Sequence, residues 1–493
     1  MKDPSRLYRW ILLVASLATI AYLMGAAVHE NYLAQWRRVQ KQYLGILREK
    51  ATDDRGRELL GKFRIELKQV SVPGLNAVDR CVTCHNGIDD PRMTDVPQPH
   101  RVHPAHILDI HPVDRFGCTV CHHGQGAATT FRDAKAEDAF WDYPLLPPEV
   151  TEATCATCHD PGRLPADQIP RLLEGRRLYE AKGCGGCHKL NGRGGTLGPP
   201  LENEGAKTRH QLIMANLQPP YTTWNWQLAH FRDPGGVVVD SQMPNPTVSH
   251  REALAITVYM LSQWKRDVPQ SYLAPDKIEE IARELHPAPL SGEQVYAQYC
   301  AACHGSGTFT RWDKKFKRFI PAIRGASLAA SANQDYFVKN ISLGRPGTQM
   351  PAWQSHAGGL QSAEIDAVAS FIRQSAPSPE RLRDVNLRGD SPRGAGLFLK
   401  NCAGCHGVEG RGGIAPEVGN PVFQQAASDE FILRTIRFGR ERTPMPAFQQ
   451  PGAPVLSDQD LADLLAFLRS LAPPHDAVAN QADNPPKSSG GHP

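Results

Sequence analysis

The chain has 493 residues, room for three or four domains. Charged residues make up 22% and hydrophobic ones 41%, a globular balance that excludes wholesale disorder. A formal charge of +4 is too mild to argue for nucleic acid as a partner. The first predicted element is a helix over Trp10 to Val28, 19 uncharged and largely apolar positions, long enough to span a bilayer. Lys2, Arg6 and Arg9 precede it, which points the N-terminus to the cytoplasm. Arg37, Arg38 and Lys41 follow it and weaken that asymmetry. Gly25-Ala26-Ala27 could mark a cleavage site, but a signal peptide has a shorter apolar core. Residues 1–30 therefore read as a cytoplasmic tail and an uncleaved single-pass anchor. Residues 31–69 read as a charged helix and a connecting strand, the latter from the alternation of Phe63, Ile65 and Leu67.

All 12 cysteines fall in one pattern, Cys-x-x-Cys-His. The copies are Cys81-Cys84-His85, Cys118-Cys121-His122, Cys155-Cys158-His159, Cys184-Cys187-His188, Cys300-Cys303-His304 and Cys402-Cys405-His406. Chance would supply roughly 0.01 copies of this haem-attachment pattern. Two thiols a helical turn apart reach two vinyl groups of one porphyrin, and the next residue, His, points at the iron. Zinc would need two such pairs, or a pair and two His, converging on each ion. Disulfides or thioredoxin-like pairs would not require a His after every second Cys. Six covalent c-type haems are expected. Bacteria attach such haems outside the cytoplasmic membrane, so everything beyond the anchor is expected in the periplasm, held at the inner membrane.

The first three motifs recur every 37 residues, too closely for three independent cores. Residues 70–165 read as one trihaem module with little regular structure, packed largely on its own haems. Three longer segments then repeat a common plan: 170–266, 288–376 and 390–472. Each opens with Gly-x-x-x-aromatic: Gly175/Tyr179, Gly292/Tyr296 and Gly394/Phe398. Each has Pro-x-aliphatic after its motif: Pro199/Leu201, Pro321/Ile323 and Pro416/Val418. Each then has Met-Pro, at Met243, Met350 and Met445, and closes on an amphipathic helix bearing Tyr259, Phe371 or Phe467. Ser249-x-x-Glu252 and Ser457-x-x-Asp460 cap two of those helices. The stretches 265–290 and 375–391 read as linkers and 473–493 as a disordered tail. The expected fold is mostly α with long loops: one transmembrane helix, a trihaem module and three tandem domains.

Each repeat resembles a class I cytochrome c domain. The resemblance implies that Met243, Met350 and Met445 are the distal iron ligands opposite His188, His304 and His406, and that the glycine and the aromatic mark a helix crossing. The trihaem module has no Met-Pro but holds five further histidines: His100, His103, His106, His111 and His123. Neutral imidazole is a common metal ligand. His103 and His111 are the first choices as distal ligands, then His123 and His106, with His100 lower. Which of them serves which iron is open at this point. A Met ligand raises the haem potential, so electrons are expected to enter at the trihaem module and leave through a Met-ligated domain.

The region with Val78-Asp79-Arg80-Cys81, Gly87-Ile88-Asp89-Asp90 and Phe116-Gly117-Cys118 resembles cytochrome subunits of bacterial quinol-oxidising, bc-type complexes. That implies a cytochrome b-like subunit and an iron–sulfur protein as membrane partners, and a soluble cytochrome or terminal oxidase as acceptor. The chain would be an electron carrier with no catalytic residues of its own. Two other readings stay open: the cytochrome subunit of a periplasmic dehydrogenase, and a peroxidase or nitrogen- or sulfur-oxide enzyme with one open haem.

Overall fold

The computed structural model describes residues 4–104, 107–138, 140–285, 287–374, 388–449 and 456–472. His106, most of the expected linker at 375–391 and the expected tail lie outside the described residues. The described chain is mostly helical, with two short hairpins. It forms two compact units. The first holds residues up to Leu172, with Gly205–Val238 and Thr257–Ile278; the second holds Leu173–Glu204, Val239–Ile256 and the chain from Glu279. The segment 170–266 thus contributes to both.

In the first unit, α1 (Pro4–Val28) is long and apolar enough to cross a membrane, and its Leu12 and Leu17 are exposed. A π-turn leads into α2 (Gln35–Lys50), and Asp53 caps α3 (Asp54–Lys62). Residues 63–69 form no strand, contrary to the alternation of Phe63, Ile65 and Leu67. Side chains take the bonds that a neighbouring strand would make. Gln40, buried on α2, donates to the Glu66 carbonyl (2.8 Å) and accepts from its N–H (2.9 Å). The Thr83 hydroxyl does the same for Lys68, at 2.7 and 2.9 Å. The strand comes later: β1 (Val70–Val72) pairs antiparallel with β2 (Ala77–Asp79). Gln40 also donates to the Thr83 carbonyl (2.9 Å), which fastens α2 to the first Cys-x-x-Cys-His segment.

From there to residue 165 the described chain makes only single turns and short helices. The apolar clusters beside the first two motifs are small: Tyr43, Leu47, Met93 and Val96 in one, Val72, Ala77 and Val120 in the other. Farther along, Leu146, Val150, Ala153 and Ala156 are buried as well.

The expected linker at 265–290 contains a helix, Pro275–Leu285. Pro275 suits a first helical position, and Ile278, Ile281, Ala282 and Leu285 repeat at helical spacing.

In the second unit, α4 (Gly292–Val295) continues through a π-turn to Cys300, and α5 (Gln334–Leu343) and α6 (Ser362–Arg373) follow. After the undescribed stretch come α7 (Ser391–Asn401), α8 (Asp429–Phe438) and α9 (Asp458–Ser470). These helices share one apolar core, with Val295, Phe337, Trp353, Val368, Phe398, Phe431, Leu461 and Leu464 buried in it. Two of the three glycines of the repeat, Gly292 and Gly394, lie at helix crossings. A Cβ on Gly292 would strike the Ala367 carbonyl and Phe371; one on Gly394 would strike the Asp463 carbonyl and Phe467. The aromatic of each final helix therefore packs beside its glycine. Ser249 and Glu252 exchange bonds at 2.8 and 3.2 Å, and Ser457 and Asp460 at 2.9 and 3.1 Å, as expected of capping pairs.

Glu364, fully buried on α6, is ion-paired with Arg193 and accepts the N–H groups of Leu290 (2.8 Å) and Gln361 (2.9 Å). Burial pushes its carboxyl up, but Arg193 and these N–H groups outweigh it and hold it below the usual range. Its stabilising effect is complete above the unfolded carboxylate value of ~4.3 and is lost as pH falls through the lower folded value. Thermal unfolding followed from pH 6 to pH 3 should show this loss in the wild type. E364Q should flatten the dependence; an equally steep one in E364Q would show that Glu364 is not responsible.

Candidate haem sites

The six motifs share one local geometry. Each lies on a helical stretch, from a single turn at Cys184–Gly186 to seven residues at Thr151–Thr157, so its two thiols and its His leave the backbone on neighbouring sides. The His N–H returns to the carbonyl of the first Cys: 2.9 Å for His85 and 3.0 Å for His122, His159, His188 and His406. None of the 12 cysteines is in a disulfide. Among the described residues no three His, Cys, Asp or Glu side chains converge as an ion cage. A haem asks less of the chain, since its porphyrin supplies four of the ligands.

The three repeats treat the motif His alike. Nδ1 lies 2.8 Å from the Pro199 carbonyl in His188, 3.2 Å from Pro321 in His304 and 2.8 Å from Pro416 in His406. These prolines were expected from the repeat, but their role was not. Nδ1–H donates to the carbonyl, which fixes the tautomer and leaves Nε2 with a lone pair for iron. The Met-Pro loops have a matching brace that sequence reasoning missed. The N–H of Met243 donates to Ser241 Oγ (3.2 Å), that of Met350 to Thr348 Oγ1 (3.2 Å) and that of Met445 to Thr443 Oγ1 (3.1 Å). Thr348 and Thr443 in turn donate to the carbonyls of Arg345 and Arg440, at 2.8 and 2.9 Å. Met350 and Met445 pack against the shared core. A hydroxyl two residues before each Met is a signal the sequence carried.

In the first unit the histidines cluster around the motifs. The His103 and His122 rings lie 6.1 Å apart, and those of His111 and His159 lie 5.9 Å apart. His100 is 3% exposed, and neither of its ring nitrogens has a hydrogen-bond partner among the described residues. His123 faces Tyr143 at 6.0 Å and Trp264 at 5.3 Å. Burial holds His85, His100, His111, His122, His304 and His406 below the ordinary imidazole value and pushes His123 down to about 4. At neutral pH these imidazoles are uncharged, the form that binds metal.

The motifs also meet one another. The Cys81 and Cys118 thiols are in hydrogen-bonding contact within the first unit, and those of Cys187 and Cys303 within the second. In each contact the two cysteines belong to different motifs. The residues fit c-type haem: paired free thiols, a proximal imidazole with its tautomer set, and candidate distal groups nearby.

The family described as cytochrome c oxidase, cbb3-type, subunit III matches residues 287–372 and 389–468, and the cytochrome c family matches 172–264. Among curated proteins, a cbb3-type cytochrome c oxidase subunit FixP of Bradyrhizobium sp. (strain ORS 278) is 31% identical over 181 residues, 35% of this chain and 58% of that one. The cytochrome bc1 complex cytochrome c subunit of Mycobacterium tuberculosis is 27% identical over 212 residues, 40% of this chain and 69% of the relative. A cytochrome c-553-like protein of Synechocystis sp. is 34% identical over 113 residues, 23% of this chain but 98% of its own length. A small relative, 34% identical and matched almost end to end, makes this protein a member of the cytochrome c family.

Proposed function

We propose that this chain is an electron-transfer subunit with six covalent haems, linking a membrane quinol-oxidising complex to a periplasmic acceptor such as a soluble cytochrome or a terminal oxidase. The observation that carries it is the repetition, six times, of a helical turn that presents two free thiols and a histidine. When bound, c-type haem supplies reversible one-electron chemistry. The chain supplies position, ligands and dielectric. Cys81 to Cys405 tether; His85, His122, His159, His188, His304 and His406 serve as proximal ligands. Met243, Met350 and Met445 are the distal groups of the three repeats, each held on its hydroxyl-braced loop. Distal ligands in the first unit come from the histidines between the first two motifs. α1 serves as an anchor in the bacterial inner membrane, its N-terminus cytoplasmic and the haem-binding segments periplasmic. The quinol site belongs to partner subunits, cytochrome b-like or iron–sulfur, because one span offers no helical bundle in which to build it.

Two of the relatives named above are subunits of a cytochrome c oxidase and of a cytochrome bc1 complex, which favours this reading over a periplasmic dehydrogenase subunit or an enzyme with an open haem. Intact mass of the purified chain should show six added haems and no alkylatable thiol. Detergent-solubilised membranes should yield it together with a cytochrome b-like protein. A quinoprotein or flavoprotein in that place would overturn the assignment of its partner.

The ligand set also grades potential along the chain, lower at imidazole pairs and higher at Met sites. M445H should lower one haem's potential by roughly 0.1–0.3 V, well inside the ~0.8 V that axial ligands span. Potentiometric titration reads this directly. An unchanged titration would remove Met445 from the ligand set.

A further inference from the structure

The interval between the first and second motifs holds all but one of the extra histidines of the trihaem region, and the structure sets two of them ring to ring with motif histidines and buries a third beside the first motif. We infer that His100 is the distal ligand opposite His85, His103 the one opposite His122, and His111 the one opposite His159. This rests on the reading that each of the three motifs carries a haem.

Two imidazoles sharing one iron have a fixed separation. Each Fe–N bond is about 2 Å and each nitrogen lies roughly 1.1 Å from its ring centre, so the centroids should be about 6 Å apart. The His103–His122 and His111–His159 separations of 6.1 and 5.9 Å meet that requirement. Their interplanar angles, 65° and 78°, are those of rings twisted about a common axis. In His103 the other ring nitrogen is already engaged: Nδ1 lies 2.9 Å from the Pro104 carbonyl, which leaves Nε2 with a lone pair for iron.

His100 is carried by a different observation. A buried imidazole with neither nitrogen bonded is costly, by about 1–3 kcal/mol for each unsatisfied group. The His100 backbone lies against the first motif: a Cβ on Gly87, two residues after His85, would strike the His100 carbonyl. An iron bound by His85 would engage one of the two orphaned nitrogens. His111 also buries a ring nitrogen, Nδ1, beside the His159 ring. His123 also buries an unbonded nitrogen, Nε2, but its ring faces Tyr143 and Trp264 rather than a motif histidine. The Arg266 guanidinium, 4.7 Å over Trp264, closes that aromatic pocket. All three motif histidines then have partners without His123 or His106.

The test uses the full-length protein in detergent. H100A, H103A and H111A should each turn one haem in six from low-spin to high-spin in the oxidised spectrum and let the reduced form bind carbon monoxide, with the haem count still six by mass. Added imidazole should restore the low-spin spectrum, which a merely structural role would not do. H123A and H106A should stay fully low-spin. Where an alanine variant loses its haem, the methionine variant at that position supplies a ligand of its own, and one haem should then titrate at higher potential. A low-spin spectrum in H100A, a high-spin component in H123A or H106A, or an unshifted potential in H100M would overturn the assignment. Fewer than three haems on the wild-type segment before residue 165 would instead remove the reading beneath it.

Discussion

Replacing Asp79 with alanine should cost roughly 4 kcal/mol of stability in the first unit, the sum of several charge-assisted hydrogen bonds at about 1.5–3 kcal/mol each less relaxation. Asp79 closes β2 and is fully buried. Its carboxylate accepts the Cys118 N–H at 2.5 Å, the Thr119 N–H at 3.0 Å and the Thr119 hydroxyl at 2.7 Å. The backbone of the second motif is thus suspended from the strand that leads into the first. Gly117 and Gly126 lie so close that a Cβ on either would strike the carboxylate. The alanine variant leaves two N–H groups of a haem-attachment turn buried without acceptors, and the Cys81–Cys118 contact loses its support. Asp79→Asn keeps one acceptor oxygen and should recover part of the loss. Thermal unfolding and haem content measure both variants. A melting temperature unchanged by the alanine would show that the motif is held by something else.

What the sequence disclosed was local or repeated. The motifs, the Gly-x-x-x-aromatic crossings and the Ser-x-x-acid caps each involve residues within a few positions, and three copies make the pattern visible. What it concealed depends on residues far apart. The alternation at 63–67 makes no strand because Gln40 and Thr83, 26 and 15 positions from Glu66 and Lys68, occupy the backbone groups. No local pattern announces that pairing. The helix at Pro275–Leu285 is a different case: its apolar spacing was present, but the prolines flanking it read as breakers, whereas the one at 275 stands at a helix start, where no N–H is needed. The Ser241, Thr348 and Thr443 braces were also present and periodic. The distal histidines show the same division. Their number signalled ligation, but the preference for His123 over His100 rested on its place beside a motif. Burial separates the two in another way, since His100 is enclosed with neither ring nitrogen bonded and His123 is enclosed by aromatics.

The fourth motif departs from the others in having glycine at both intervening positions, Gly185 and Gly186, and this sets up the second large effect. Both are buried against the turn of the fifth motif. A Cβ on Gly185 would come 3.0 Å from the Tyr299 ring, and one on Gly186 would come 3.0 Å from the Tyr299 carbonyl and 3.4 Å from Ala302 Cβ. Backbone against backbone is what brings the Cys187 and Cys303 thiols together. Haems tethered there would share an edge, so reducing one should oppose reducing the other. Two unit charges ~10 Å apart at an effective dielectric near 20 interact by about 1.7 kcal/mol, roughly 70 mV for one electron. Gly186→Val should force the two turns apart at a cost of about 1–3 kcal/mol of overpacking. An extra ~2 Å of separation takes that repulsion from about 1.7 to about 1.4 kcal/mol, so its titration should show the mutual shift fall from roughly 70 to roughly 60 mV, with haem content unchanged. A wild-type titration in which the fourth and fifth haems behave independently would defeat the argument, because close thioether attachment leaves no means of hiding the charge of one haem from its neighbour.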